Sequence, residues 1–485
     1  MHRTKRRYTK VSPSALLIMT SLFYTILHYI RLVWTYISSF FNNNDRSEGG
    51  GISLSSFFGH KQKILTFDNG LQIQIGKQIA EGGFSYVFEA FPITPDKNSG
   101  TPSKQCRMLS QSSSSLTSST TTAVNERKYA LKRINCADHE IIQSCRHEAG
   151  IHRSLPASEH PNLLELLGLK FDMDMSMNSS STSRGREEHK EYNVCYMLFP
   201  YISHSLRGEI TKRSILYDPS DFSSDSGGSR RTPFTTKEVL QLFGGILDGV
   251  KAMHDANISH RDIKLENVLL QSSKYGDSNS RRSSTGRLTP VLMDFGSAGP
   301  LTREIQSKQE IYGIVEESAS HTTMPYRPPE LFDGGLRYTN GSVNVLDYGK
   351  VDVWSLGCLL FGLMHGASPF EMEYSRNNSQ NEQQNQYGLV RIVECTHLKI
   401  LGEVPLPPWA RGGNDDGSGG GSNGKYPASM YKSVQYLVQH DRLVRPNIHE
   451  VVSKFSDLFI KLVGERWVSF VEGDAGYEAF DSSIV

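Results

Sequence analysis

The run from His260-Arg261-Asp262 through Lys264 and Asn267 to Asp294-Phe295-Gly296 constrains this chain more than any other stretch of its 485 residues. Asp294 offers hard oxygen atoms to a divalent cation, and Asn267 can add a neutral amide oxygen to a second ion without like-charge repulsion. Asp262 can orient a hydroxyl group and accept its proton, with Lys264 two residues on. These are the parts that phosphoryl transfer needs, because the charge spread over the moving group must be met by metal ions and cations. An Asp-Phe-Gly alone would only mark a turn. The order and spacing of further motifs decide the matter.

Upstream, Leu71-Gln72-Ile73-Gln74-Ile75 alternates apolar and polar residues as a half-buried strand does, and leads into Ala80-Glu81-Gly82-Gly83-Phe84-Ser85-Tyr86-Val87. Gly82 and Gly83 keep the turn free of side chains, so that backbone N–H groups can approach phosphates. Tyr129-Ala130-Leu131-Lys132 is a short apolar stretch ending in a cation, and Arg146-His147-Glu148-Ala149-Gly150-Ile151-His152 follows. Its two histidines are five residues apart, about 140° around a helix, which excludes a zinc pair on one face.

In these residues the chain resembles the eukaryotic protein kinases. His260 to Asn267 match the pattern H-R-D-L-x-x-x-N with Ile263 in place of Leu, and Ala130-Leu131-Lys132 is similar to V-A-I-K. The glycine-rich loop departs from its pattern at Ala80 and Ser85, which stand for the first and third glycines. The resemblance implies an α+β, two-lobed fold with a small β-rich N-lobe and a larger helical C-lobe. ATP and Mg²⁺ are the implied cofactors, with Ala80, Glu81, Gly82, Gly83, Phe84, Ser85, Val87, Ala130 and Lys132 at the nucleotide. Phe199 would be the gatekeeper and Pro200-Tyr201-Ile202 the hinge to adenine. Lys132 would bind the α- and β-phosphates, paired with Glu148, while Asn267 and Asp294 hold metal.

The resemblance continues through Thr322-Thr323-Met324-Pro325-Tyr326-Arg327-Pro328-Pro329-Glu330, the end of an activation segment. Thr323 would belong to the substrate platform, bonding Asp262 and Lys264. Glu330 would pair with Arg445, and Asp352 would anchor the catalytic-loop backbone from a buried helix. Lys264 and Thr323 are what the serine/threonine class carries, so protein Ser/Thr hydroxyls are the expected acceptors. Arg261 could meet a phosphate on Ser318, Ser320, Thr322 or Thr323, or stabilise a carbonyl or carboxylate of the folded loop. Glu81 to Val87, Ala130 to Ile134, Val291 to Asp294 and Val353 to Cys358 resemble the Numb-associated kinase family, nearest its lipidated branch linked to Golgi and endosomal membranes.

The kinase domain is expected at residues 65–465. Six polar or Gly-rich insertions, near 95–126, 172–191, 213–233, 271–287, 373–386 and 411–424, lack the apolar surface for a core and read as flexible loops. Thr235-Thr236-Lys237-Glu238 reads as a capping box ahead of Leu240, Phe243, Leu247, Val250 and Met253 at helical spacing. Residues 466–485 form a C-terminal tail.

A basic segment, residues 1–13, precedes a largely apolar run at 14–41 that His28 and Arg31 interrupt, and residues 42–64 form a linker. The run is a membrane candidate. Three readings stay open: an anchor lying in the interface or re-entering it, since Arg31 can snorkel from a shallow site; a spanning helix oriented against the positive-inside rule; and a cleavable targeting segment. The lipidated branch needs a glycine where His2 stands, and no cysteine precedes Cys106, so the apolar run is expected to replace the lipids. The expected location is therefore a membrane, with the domain facing the cytosol, and the family resemblance points to an endomembrane such as the Golgi.

Lys and Arg number 52 against 51 Asp and Glu, so total charge asks for no nucleic-acid partner. The six cysteines form no C-x-x-C pair, which suits a reducing compartment. The competing function is a kinase-shaped scaffold with little turnover. Keeping Lys132, Asp262, Asn267 and Asp294 together argues against it.

Overall fold

The computed structural model describes residues 64–82, 85–93, 128–173, 192–215, 233–272, 288–332, 336, 344–376, 387–391, 394–406 and 426–467. The apolar run at 14–41, the basic segment before it and most of the expected insertions lie outside these residues, as do Gly83 and Phe84. Among the described residues no helix is long and apolar enough to cross a membrane.

Six strands build the smaller lobe: β1 (Ile64–Thr66), β2 (Gln72–Glu81), β3 (Ser85–Pro92), β4 (Tyr129–Asn135), β5 (Gly168–Asp172) and β6 (Val194–Pro200), in the order β1-β2-β3-β4-β6-β5 with every pairing antiparallel. Strand β6 explains why the sheet is covered on both faces. Cys195, Met197 and Phe199 point to one apolar cluster, while Val194, Tyr196 and Leu198 point to another, as the two-residue period of a strand requires. Helix α1 (His139–Ser154) packs Ile142, Cys145 and Ala149 into the first cluster, and Asp138 caps it by accepting from Ile141 N–H. That packing turns Glu148, one helical turn from Cys145, toward the sheet.

The larger lobe is helical: α2 (Leu206–Ile215), α3 (Thr236–Asp255), α4 (Lys308–His321), α5 (Tyr348–His365), α6 (His397–Ile400), α7 (Ala428–Leu437) and α8 (Ile448–Val463). Thr235 and Glu238 form the expected capping box of α3, which buries Leu240, Phe243, Leu247, Val250 and Met253 in the main core. Helix α5 is buried all round from Val351 to Met364, starts at the Asp347 cap and ends at Gly366, where φ is 86° and a side chain would be strained. The lobes are stitched by main-chain bonds between Leu164 N–H and Leu292 O (2.9 Å) and between Leu292 N–H and Asn162 O (2.8 Å).

Described elements reach into several of the expected insertions and into the tail, beginning with Asp172, the last residue of β5, which pairs with Val194. Arg213 belongs to α2, where its guanidinium donates to Glu209 (2.8 Å), Glu238 (2.9 Å) and Pro233 O (3.0 Å). The insertion near 373–386 begins inside the strand Met372–Arg376, which pairs with Tyr387–Arg391. Gln271 and Ser272 pair with Thr289 and Leu288. Polar composition says that a segment lacks a core of its own, but not whether its backbone finds a partner. Finally, Trp467, which the sequence reading left in the tail, is a core residue against Phe455 and Phe459.

Candidate active site

Two short ladders position the candidate catalytic residues. Ile258–Ser259 pairs with Gly299–Pro300, and Val268–Ser272 pairs with Leu288–Leu292. The first of each pair flanks residues 260–267, and the second members flank Asp294-Phe295-Gly296, so both motifs open at one end of the same scaffold. Asp352 of α5 fixes the loop from below. Fully buried, it accepts from His260 N–H (2.8 Å), Arg261 N–H (2.7 Å) and His254 Nε2 (2.9 Å). Arg261 and Asp294 both sit at φ 67°, a left-handed conformation uncommon for residues with a side chain. Such strain persists where surrounding bonds over-determine it.

Asp262 is the centre of the site. One carboxylate oxygen accepts from the Thr323 N–H (3.0 Å) and hydroxyl (2.7 Å); the other accepts from Lys264 Nζ (2.6 Å) and Asn267 Nδ2 (3.2 Å). Lys264 also donates to the Thr323 hydroxyl (2.8 Å), and Asn267 donates to Asp262 O (2.8 Å). The structure thus brings Asp262, Lys264, Asn267 and Thr323 into one network.

Across the cleft, Lys132 Nζ lies 2.8 Å from Glu148 and 3.8 Å from Asp294. Burial pulls the Lys132 ammonium down, but the charges of Glu148 and then Asp294 outweigh it and leave its pKa raised. Lys132 pairs in register with Val87 on one side and Met197 on the other, which places it beneath the β2–β3 hairpin. Ala80 and Glu81 are the last residues of β2, opposite Val87 and Tyr86, and Gly82 N–H donates to Ser85 O (2.8 Å) to close the turn. Ala130 pairs with Phe199, and Pro200 ends β6 with Tyr201 and Ile202 following. Ile202 and Ala130 pack against the same cluster as Phe199.

These groups fit a magnesium-bound nucleotide. The Asp294 side chain is 47% exposed and meets Lys132 only at a long distance, so its oxygens can serve as hard ligands. Asn267 spends its amide hydrogens on Asp262, and among the described residues its oxygen has no donor. The cleft end between Asp294 and Lys132 therefore offers two oxygen donors and one cation.

Two features escaped the sequence reading. His152 stands in a column of rings, 5.3 Å from Phe199 and 4.7 Å from Phe295, which in turn meets His260 at 5.5 Å. Its Nδ1 bonds Leu164 O (3.1 Å), and burial pushes its pKa down to about 4. The spacing of Glu148 and His152, one helical turn apart, was the available signal. The other is α4, which fills the segment between Asp294 and Thr323. Its Glu317 lies 3.6 Å from Arg261 and accepts from Arg303 (2.8 Å). Arg261 also donates to Ser259 Oγ (3.1 Å) and Pro300 O (2.8 Å) and lies 3.7 Å over the Tyr348 ring. Ser318 is buried in α4, and the Thr322 hydroxyl bonds Ser318 O (2.7 Å) and Arg327 Nε (2.5 Å). Of the candidate phosphate acceptors, Ser318 is thus out of a modifying enzyme's reach in this conformation.

Beyond the cleft, Glu330 and Arg445 form a bidentate pair (2.6 and 3.0 Å) with Arg445 0% exposed at its side chain. The guanidinium also donates to Lys350 O and Gln439 O.

A family profile described as protein kinase domain matches residues 106–455. Strands β1 to β3, which precede that match, belong to the same sheet as β4. The chain is 30% identical over 251 residues to serine/threonine-protein kinase 16 of Rattus norvegicus, covering 52% of this chain and 65% of that protein. It is 29% identical to the protein of that name from Homo sapiens over the same length. A probable serine/threonine-protein kinase of Dictyostelium discoideum is 30% identical over 384 residues, 78% of this chain. The chain spans 65% of the length of the rat relative and 24% of the Dictyostelium one.

Proposed function

The chain belongs to the protein kinase domain family, and from that premise we propose that it transfers the γ-phosphoryl group of ATP to serine or threonine hydroxyls of proteins. The observation that carries this reading is the network on Asp262, where Lys264 and Thr323 hold one carboxylate between them. A hydroxyl arriving at Asp262 is oriented by it and gives up its proton to a carboxylate oxygen as its own oxygen bonds the γ-phosphorus and the bond from that phosphorus to the departing ADP breaks. Bound ATP with Mg²⁺ supplies the phosphoryl group and neutralises its charge. Lys132, positioned by Glu148, meets the phosphates; Asp294 and Asn267 hold the metal; and the β2–β3 hairpin from Ala80 to Val87 covers the nucleotide, with Phe199 to Ile202 beside the base. Lys264 meets negative charge that develops on the transferred group.

The finer parts of the proposal rest on sequence resemblance. Glu81 to Val87 and Val353 to Cys358 resemble the Numb-associated kinases, and the apolar run at 14–41 suits a membrane surface or bilayer, so we place the enzyme on a membrane, with a Golgi or endosomal role as the family suggests. The test is transfer of labelled γ-phosphate by the full chain to a generic Ser/Thr protein, with Asp294→Ala as control. Transfer should fall at least a hundredfold in the control. Mg²⁺-dependent ATP binding with no transfer by the unaltered chain would sink the reading and favour a scaffold.

A further inference from the structure

Between α3, α7 and α8 lies a cavity of about 370 Å³ that the proposed transfer does not use. It falls within the ~300–1,000 Å³ of ordinary ligand sites. Its floor is apolar, with Leu240, Phe243, Met430 and Phe455, and of the described residues that line it Lys432, Lys454 and Lys461 are basic and Asp457 is acidic. Lys454, Asp457 and Lys461 share one face of α8, and Lys454 Nζ lies 3.6 Å over the Tyr436 ring. An occupant of this site needs apolar groups for the floor and an excess of negative charge for the rim.

The described residues run to Trp467, whose ring lies 5.7 Å from that of Phe455, a residue that lines this cavity. Residues 468–485 contain Glu472, Asp474, Glu478 and Asp481 but no Lys or Arg, and they interleave Phe470, Tyr477 and Phe480 with those acids. Extended chain covers about 3.3–3.6 Å per residue, so the whole acidic stretch is within reach of the rim. Charge, aromatic content and point of attachment all match the cavity. We propose that residues 468–485 dock in cis into the α3/α7/α8 cavity, seating aromatic side chains on its floor and carboxylates on Lys432, Lys454 and Lys461.

The pairing is tested by zero-length carbodiimide coupling of the full chain at high dilution, followed by peptide mapping. Isopeptide bonds from Lys454 or Lys461 to Glu472, Asp474, Glu478 or Asp481 are expected within single chains. Their yield should fall at least tenfold in Phe470→Ser/Tyr477→Ser/Phe480→Ser, a variant that keeps every coupling group. Absence of these links overturns the proposal, as does an undiminished yield in that variant, which would mean charge encounter without a seat. Mixing isotopically light and heavy protein separates the remaining case: links found only between chains would assign the cavity to a second copy instead.

Discussion

At the residue scale, His152 shows how a single ionisable ring can be kept neutral to serve as packing. The fold holds its pKa at about 4 because the ring is buried, whereas the unfolded chain protonates it near 6.5. The stability it permits is therefore whole above the unfolded value and is lost as pH falls from about 6.5 toward 4, a loss of about 3 kcal/mol at the lower end. His152→Leu is expected to flatten that part of the profile, measured by urea unfolding at pH 7 and pH 5; an unchanged slope would show that His152 does not carry it. Arg445 is the opposite case, a buried charge that needs its partner. Arg445→Ala leaves Glu330 buried without a cation, and should lower unfolding stability by ~3–5 kcal/mol while leaving nucleotide affinity within about twofold. The pair was legible from Glu330 and Val444-Arg445-Pro446 through a family resemblance. His152 was not, because nothing in one sequence says which rings meet across α1, β6 and Phe295.

At the element scale, α3 and the residues after α8 are coupled by a missing Cβ. A side chain on Gly244 would come within 2.5 Å of the Trp467 ring, which Phe455 and Phe459 already hold. Gly244→Ala should therefore destabilise the protein by ~1–3 kcal/mol through overpacking. In a Trp467→Ala background the same change should be neutral or stabilising by up to ~1 kcal/mol, since alanine is the better helix former. Equal effects in both backgrounds would refute the contact. Helix α4 teaches a related lesson. Ser307 caps it and Ile311 and Ile314 bury in a small cluster with Leu331 and Leu346, so its stability is tertiary. Its short polar sequence carries little helical signal, yet it delivers Glu317 to Arg261.

At the scale of the whole molecule, the described residues form a two-lobed fold, and Lys132, Glu148, Asp262, Asn267 and Asp294 are separate in sequence from the apolar run at 14–41. The membrane proposal can thus be tested apart from the catalytic one. Protein lacking residues 1–45 should move from the membrane to the soluble fraction with its γ-phosphate transfer unchanged within about twofold; persistence on membranes would show that 14–41 is not the anchor. By itself the sequence determined the fold class and carried the proposed chemistry, because phosphoryl transfer needs particular side chains in order, and His260 to Asn267, Asp294 and Lys132 are readable one by one. It also determined the strong local signals, such as the Thr235 and Glu238 cap, since these depend on residues a turn apart. Tertiary structure alone decided that Arg261 meets Glu317, that His152 fills a ring column and that Trp467 closes a core. Each of these depends on which distant surfaces come into van der Waals or hydrogen-bond contact, and that is set by packing of the whole fold and not by any local pattern.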